Sequence, residues 1–263
     1  MNTSRSVIHP DAKIGKNVTI EAFATIAGDV EIGDNCWIGP NVVIDDGARI
    51  GKNTRIFPGA VISTIPQDLK FSGEYTTVEI GDNCTIREFA TVNRGTSDSY
   101  TTRVGNNVLI MAYAHIAHDC QILNDAVIAN AVQLAGHVKI GEYAIIGGMS
   151  AIHQFTRIGR HAILQGGSLV GKDVPPYTKA ARYPLRYMGV NSVGLRRRAY
   201  EEDHIREIQE IYRILFLSGL NTTRALERLE REHPVSPIRD EIIGFVRTSE
   251  RGIMKGHYSR RDV

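Results

Sequence analysis

Residues 7–44 read VIHPDAKIGKNVTIEAFATIAGDVEIGDNCWIGPNVVI, and an isoleucine returns at every sixth position: Ile8, Ile14, Ile20, Ile26, Ile32, Ile38 and Ile44. The phase continues to Val170, and of its 28 positions only Asp68, Glu74 and Asp98 are not aliphatic. A helix repeats its apolar face about every 3.6 residues and a strand every two, so neither predicts this pattern. Two residues before each aliphatic position stands a small one, among them Ala12, Val18, Ala24, Val30 and Cys36. Glycine often follows, as at Gly15, Gly33, Gly51 and Gly81, and then pairs such as Asp34-Asn35 and Asp82-Asn83. Asparagine tolerates the left-handed backbone that a tight corner needs.

A short strand plus a corner, three times per turn, closes a triangular parallel β-helix with 18 residues per coil. Coils then stack at the strand spacing of about 4.8 Å, each supporting only its neighbours. The isoleucine column fills the interior, each side chain contributing roughly 1.5–3 kcal/mol. Breaks at 63–76 and 97–102 leave the phase intact and read as loops expelled from the prism, where function concentrates on rigid scaffolds. The repeat stops at KDVPPYTKAARYPLRY (172–187), where Pro175, Pro176 and Pro184 are expected to end ladder pairing. An amphipathic pattern follows: Ile205, Ile208, Tyr212, Leu215 and Phe216 share a face that stops at Gly219. Ser236 and Pro237 open a further helix as cap and first helical residue. The sequence thus divides into a β-helix domain, 1–190, and a helical domain of about three helices, 191–263.

Composition narrows the function. A net charge of +2 over 263 residues argues against a nucleic-acid partner. Three cysteines, Cys36, Cys84 and Cys120, form no disulfide framework; all fall in the small-residue phase and read as core fillers. Neither a signal peptide nor a membrane-spanning segment is recognisable, so a cytoplasmic protein is expected.

Against this background AYAHIAHDCQIL (112–123) stands out, with His115, His118 and Asp119 within five residues. The 18-residue coil puts His118, Gly136 and Gln154 in one column and His137 one coil above Asp119, with His153 beside Gln154. Histidine titrates near neutrality and suits a general base. Two rival readings are a hydratase with a metal on His115, His118 and His137, and an ice-binding solenoid. The second needs flat threonine ladders, which this sequence lacks.

The stretches AHIAHDC (114–120), LAGHV (134–138), IIGGMSAIHQF (145–155), KDVPPY (172–177), QDLKFSGE (67–74) and GVNSVGLRRR (189–198) resemble the acyl-[acyl-carrier-protein]–UDP-N-acetylglucosamine O-acyltransferase family of lipid A synthesis. The resemblance covers nearly the whole chain and implies a mainly β fold, a left-handed parallel β-helix followed by a small α-helical domain. It implies His118 as the base acting on the sugar 3-hydroxyl, Asp119 as its orienting partner and the Gly136 N–H as oxyanion donor. It further implies Asp68, Lys70, His115, His137, His153 and Gln154 as substrate contacts, and Asn191, Arg197 and Arg198 as nucleotide contacts. Gly166, or its neighbour Gly167, matches the position that limits acyl length; a glycine there implies a chain of about fourteen carbons. No metal and no permanently bound cofactor are implied, since the acyl donor rides on the phosphopantetheine of acyl carrier protein. That acidic partner would land on Lys179, Arg182, Arg186 and Arg196–Arg198, and a homotrimer is implied. Two departures bear on the acceptor. Many members carry histidine where this chain has Asn93, and some an acid in place of Val193. Some relatives acylate a 3-amino sugar instead of the hydroxyl.

Overall fold

Each hexapeptide forms a strand of two to four residues whose second phase points inward, and the strands stack into three sheets of nine, eight and ten members. All pairs are parallel except the last, so the sheets are the three walls of a β-helical prism. The computed structural model describes residues 5–256; residues 1–4 and 257–263, the outer ends of the two expected domains, lie outside the described residues.

Aliphatic residues from Ile20 to Val170 fill the interior, most with no more than 3% of their surface exposed. The three cysteines are free and buried among them, and the thiols of Cys36 and Cys84 reach carbonyl oxygens of Gly51 and Gly105 at 3.0 Å. Corners turn through left-handed residues, with Asn35, Asn53 and Asn83 at φ near 60° as their residue type favours.

Register shows how the loops are accommodated. Val43 pairs with Val61, 18 residues on (61 − 43), while Val61 pairs with Thr91 (91 − 61 = 30) and Thr91 with His115 (115 − 91 = 24). His115 then pairs with Gln133, again 18 on (133 − 115). The two insertions therefore add two units and one unit, and every later coil keeps its place. Strand pairing runs on to Thr64 and resumes at Thr77 and Thr101, so both loops occupy slightly different spans from the breaks in the aliphatic phase.

The prolines do not end the ladder. Thr178–Ala181 adds a further parallel strand to the third wall, and Arg186–Val190 pairs back antiparallel. Pro175 and Pro176 sit in the corner before that strand and Pro184 in the hairpin after it, where no ladder donor is required.

Four helices follow in place of about three: α1 (Ser192–Arg197), α2 (Glu202–Leu217), α3 (Thr222–Glu232) and α4 (Pro237–Arg247). The unexpected one, α1, is too short for an amphipathic period to reveal it. Asn221 and Ser236 cap α3 and α4 by accepting from Arg224 N–H and Arg239 N–H. The tail is fastened to the last coils by buried polar contacts. Asp173 accepts from Arg157 Nε at 2.9 Å and Ser249 Oγ at 2.8 Å, and Tyr212 donates to Pro176 O at 2.6 Å.

His161, 3% exposed, lies between the rings of Tyr143 and Tyr177 beside this junction. Burial, then the charges of Arg160 and Arg198, push its imidazole down to about 4. Because the folded value lies below that of the unfolded chain, stability is full above about pH 6.5 and is lost as pH falls toward 4. The loss is on the order of 2–3 kcal/mol. Denaturation midpoints at pH 7 and pH 4.5 should show that drop in the native chain and a smaller one in His161→Phe.

Candidate functional site

The prism has three edges, and the one joining the first wall to the second carries the chemistry. His115 is the outward residue of a first-wall strand, and the chain then turns through His118 and Asp119 into the second wall. One coil on, the same corner holds Gly136 and His137, and the next holds His153, Gln154 and Phe155. The corner's left-handed position is filled by Asp119, His137 and Phe155, at φ 59°, 62° and 62°.

Asp119 is 3% exposed and its carboxylate meets five donors. Thr96 Oγ1 donates to Oδ2 at 2.7 Å, Ser99 Oγ to Oδ1 at 2.5 Å, and the N–H groups of Thr96 and Ser99 at 3.1 and 3.3 Å. The fifth is His118 Nδ1, 2.8 Å from Oδ2. Burial by itself raises this carboxyl, but the bonds from His118, Ser99 and Thr96 outweigh it and hold it well below the usual carboxylate range. An ionised carboxylate only accepts, so Nδ1 carries the proton and Nε2 of His118 keeps its lone pair. Nε2 faces the first expelled loop, 4.0 Å from Asp68 Oδ2.

Gly136, one coil above, lies directly against this ring. A Cβ there would stand 2.5 Å from His118 Cε1 and 2.7 Å from Nε2, so only glycine leaves the imidazole its place. Among the described residues nothing accepts from the Gly136 N–H. His137 packs edge-on against His118, with centroids 5.1 Å apart, and stacks on Phe155 at 4.3 Å. Its Nδ1 lies 3.2 Å from Asp98 in the second expelled loop. A pocket of about 330 Å³ opens beside Asp119, His137 and Phe155 and reaches Thr248 and Glu250 of the tail, so the helical domain forms one of its walls.

The structure therefore brings together His118, Asp119, Gly136, His137 and Asp68, with exposed His153 and Gln154 one coil further on. Lys70 is exposed in the Asp68 loop, where its N–H donates to Asp68 Oδ1 at 2.9 Å. His115 is tied to the neighbouring coil: its Nδ1 lies 2.7 Å from Thr91 Oγ1, and burial, then the nearby His118, lowers its pKa. Metal-ligating atoms of His118, Asp119 and His137 lie within 4.8 Å of one another, so the trio that gathers contains Asp119 and not His115.

Other expected residues lie elsewhere. Gly166 is exposed on the edge joining the third wall to the first, its Cβ direction 3.0 Å from Gly148 O. Asn191 is 3% exposed; its Oδ1 accepts from Gly194 N–H and its Nδ2 donates to His161 O at 2.9 Å, so both ends of the amide hold α1 in place. Arg198 lies over Tyr143, on the edge joining the second wall to the third, and Arg197 is exposed nearby. Asn93 is buried and donates to Ile65 O at 2.8 Å, which anchors the base of the Asp68 loop. The sequence does not single out Thr96 and Ser99, because nothing local links a loop hydroxyl to a carboxylate 20 or more residues away.

Comparison with known proteins points one way. A family model described as Udp N-acetylglucosamine O-acyltransferase, domain 2, matches residues 173–254, and a bacterial transferase hexapeptide (six repeats) model matches 29–64 and 101–136. The acyl-[acyl-carrier-protein]–UDP-N-acetylglucosamine O-acyltransferase of Xylella fastidiosa is 41% identical over 263 residues, covering 97% of this chain and all of that protein. The protein of the same name from Stenotrophomonas maltophilia is also 41% identical, over 95% of this chain and 96% of its own. Among solved structures, the UDP-N-acetylglucosamine acyltransferase of Bacteroides fragilis superposes with TM-score 0.95 at 49% identity, covering 97% of this chain and 100% of that one. That of Francisella novicida gives 0.94 at 39% identity, with 99% and 95% covered.

Proposed function

The chain belongs to the acyl-[acyl-carrier-protein]–UDP-N-acetylglucosamine O-acyltransferase family, and we propose that it performs this transfer with His118 as general base. It is an acyltransferase with the family's left-handed β-helix, acting at the first step of lipid A biosynthesis. The observation that carries the assignment of the base is the His118–Asp119 bond, which fixes the tautomer, together with the packing of the ring against Gly136.

His118 Nε2 takes the proton of the sugar 3-hydroxyl as its oxygen adds to the thioester carbonyl of the acyl carrier. Asp119 stabilises the imidazolium that results. The carbonyl oxygen becomes an oxyanion facing the Gly136 N–H. Collapse reforms the C=O bond and breaks the C–S bond, and the departing phosphopantetheine thiolate receives the proton from His118. An amine at the sugar 3-position would follow the same steps. Asp68, Lys70, His115, His137, His153 and Gln154 surround the sugar and acyl groups in this reading. Mass spectrometry of products from defined acyl carriers, with UDP-N-acetylglucosamine and its 3-amino analogue, tests it. Absence of any 3-acylated sugar nucleotide would overturn the assignment.

The walls support a homotrimer. The second wall is charged outside, with Lys13, Glu31, Arg49, Glu79 and Arg103, whereas the third presents half-buried Leu109, Val127, Ile145 and Ile163. Phe89, Tyr113 and Met149 are exposed on the edge between the third and first walls. Cyclic symmetry would cover these faces and carry Asn191, Arg197 and Arg198 of one copy toward His118 of the next. Exposed Lys179 and Arg182 offer a landing site for acyl carrier protein, while Arg196 is occupied by Glu202. A cytoplasmic location fits this reading, and among the described residues no helix is long and apolar enough to cross a membrane.

Gly166→Met should shorten the preferred acyl donor in competition assays, because a methionine side chain fills several methylenes of groove. The φ of Gly166 is open to any residue, and an added Cβ needs Gly148 O, 3.0 Å away, to give slightly, whereas Gly167, at φ 73°, would be strained. An unchanged preference would reject Gly166 as the limiting residue. Chelator treatment should leave turnover intact, since the Asp119 oxygens are already engaged by five donors. Loss of activity restored by zinc would favour the metal reading.

A further inference from the structure

The base and its carboxylate sit on a rigid corner, yet four of the five donors that fix the carboxylate come from the loop between Asn93 and Thr101. We propose that Thr96 and Ser99 are positioning residues for acyl transfer, their hydroxyls clamping Asp119 so that one oxygen is aimed at His118 Nδ1. The proposal rests on the assignment of His118 as base.

Each hydroxyl holds a different oxygen. Thr96 Oγ1 donates to Oδ2, the oxygen that also receives His118 Nδ1, and Ser99 Oγ donates to Oδ1. A hydroxyl has one proton, and Ser99 Oγ also approaches Thr101 O, at 3.1 Å; the 2.5 Å contact to a charged acceptor takes the proton. With both oxygens tied, the carboxylate cannot rotate about its last bond and its donor-facing lone pairs stay fixed.

The loop is itself held in shape. Thr102 Oγ1 accepts from Asp119 N–H at 2.8 Å, which ties the loop's exit strand to the corner. Ser97 N–H donates to Glu74 Oε1 at 3.0 Å, joining the two expelled loops. A Cβ on Gly95 would stand 2.3 Å from Thr101 N, so the loop closes back tightly on its own exit. The first loop carries Asp68, opposite His118 Nε2, so the two loops grip the dyad from both sides.

Removing a donor frees the carboxylate to turn, so the imidazole loses a fixed partner and kcat falls, while binding of the sugar nucleotide, which does not involve Asp119, keeps its KM.

The test uses the full-length enzyme with acyl carrier and sugar nucleotide, comparing wild type, Thr96→Val, Thr96→Ser, Ser99→Ala and His118→Ala. Thr96→Val should lower kcat by about 10- to 100-fold, with KM for the sugar nucleotide within about twofold. Thr96→Ser, which keeps the hydroxyl, should restore most of the rate. Ser99 lies on the exposed side of the loop, so Ser99→Ala tests the clamp even where Thr96→Val fails to fold, and should lower kcat by about 5- to 10-fold. If kcat stays put in folded Thr96→Val and Ser99→Ala while His118→Ala is inactive, the clamp is wrong and the base stands. If His118→Ala keeps its kcat, the assignment of the base falls first and the clamp falls with it. A Thr96→Ser variant as slow as Thr96→Val would make Thr96 a packing residue, and overturns its part of the proposal.

Discussion

His118→Ala is expected to lower kcat by on the order of 10²–10⁴, the range that general-base catalysis supplies. The ring is a corner residue on the outer wall and contributes nothing to the isoleucine column, so the fold should be indifferent to its loss. Asp119 would keep its four loop donors and remain ionised. KM for the sugar nucleotide should change little, because proton removal belongs to the transition state and not to ground-state binding. His115→Ala should behave in the opposite way. Its ring is tied to Thr91 and is partly buried, so its loss acts through substrate affinity or orientation. Steady-state kinetics of both variants, with circular dichroism as the folding control, decides between them. Near-normal kcat in His118→Ala, with turnover abolished in His115→Ala, would show that the roles are reversed.

Gly136→Ala should cost about 10²–10³ in kcat although it adds a single methyl group. The added Cβ would lie 2.5 Å from His118 Cε1, a separation real Cβ atoms do not adopt, so the ring must swing away. In swinging, it gives up the 2.8 Å bond to Asp119 and its aim at the acceptor. The backbone itself tolerates the change, since the same corner position is filled by His118 one coil below and Gln154 one coil above. A double-mutant cycle isolates the cause. In a His118→Ala background the methyl has no ring to displace, so Gly136→Ala should add little further loss. An additional hundredfold loss there would mean that the alanine damages the oxyanion donor directly.

The period of six made most of this fold legible, because a solenoid repeats one local rule and each coil needs only its neighbours. The column of His118, Gly136 and Gln154 was legible for the same reason, since a fixed coil length converts sequence separation into position along an edge. Where the rule lapses, so did the reading. The strand Thr178–Ala181 lies beyond two prolines, whose local chemistry argues against pairing, and only the neighbouring coil reveals that they occupy a corner. Thr96 and Ser99 belong to an irregular loop, whose path no periodicity encodes. Asn191 caps α1 and donates to His161 O, a structural role that no periodic pattern announces.

The stacked corner has a consequence for how such an enzyme can change. The spacing between His118, Gly136 and Gln154 is set by backbone hydrogen bonds, about 4.8 Å per coil, and so behaves as a lattice constant. Exchanging a side chain leaves those backbone bonds, and hence the spacing, in place. Substrate preference can therefore drift only in discrete moves: a side chain lengthened or removed at one rung, or a group shifted by a whole rung. An enzyme of loops can be tuned like a string, whereas this one can be altered only key by key.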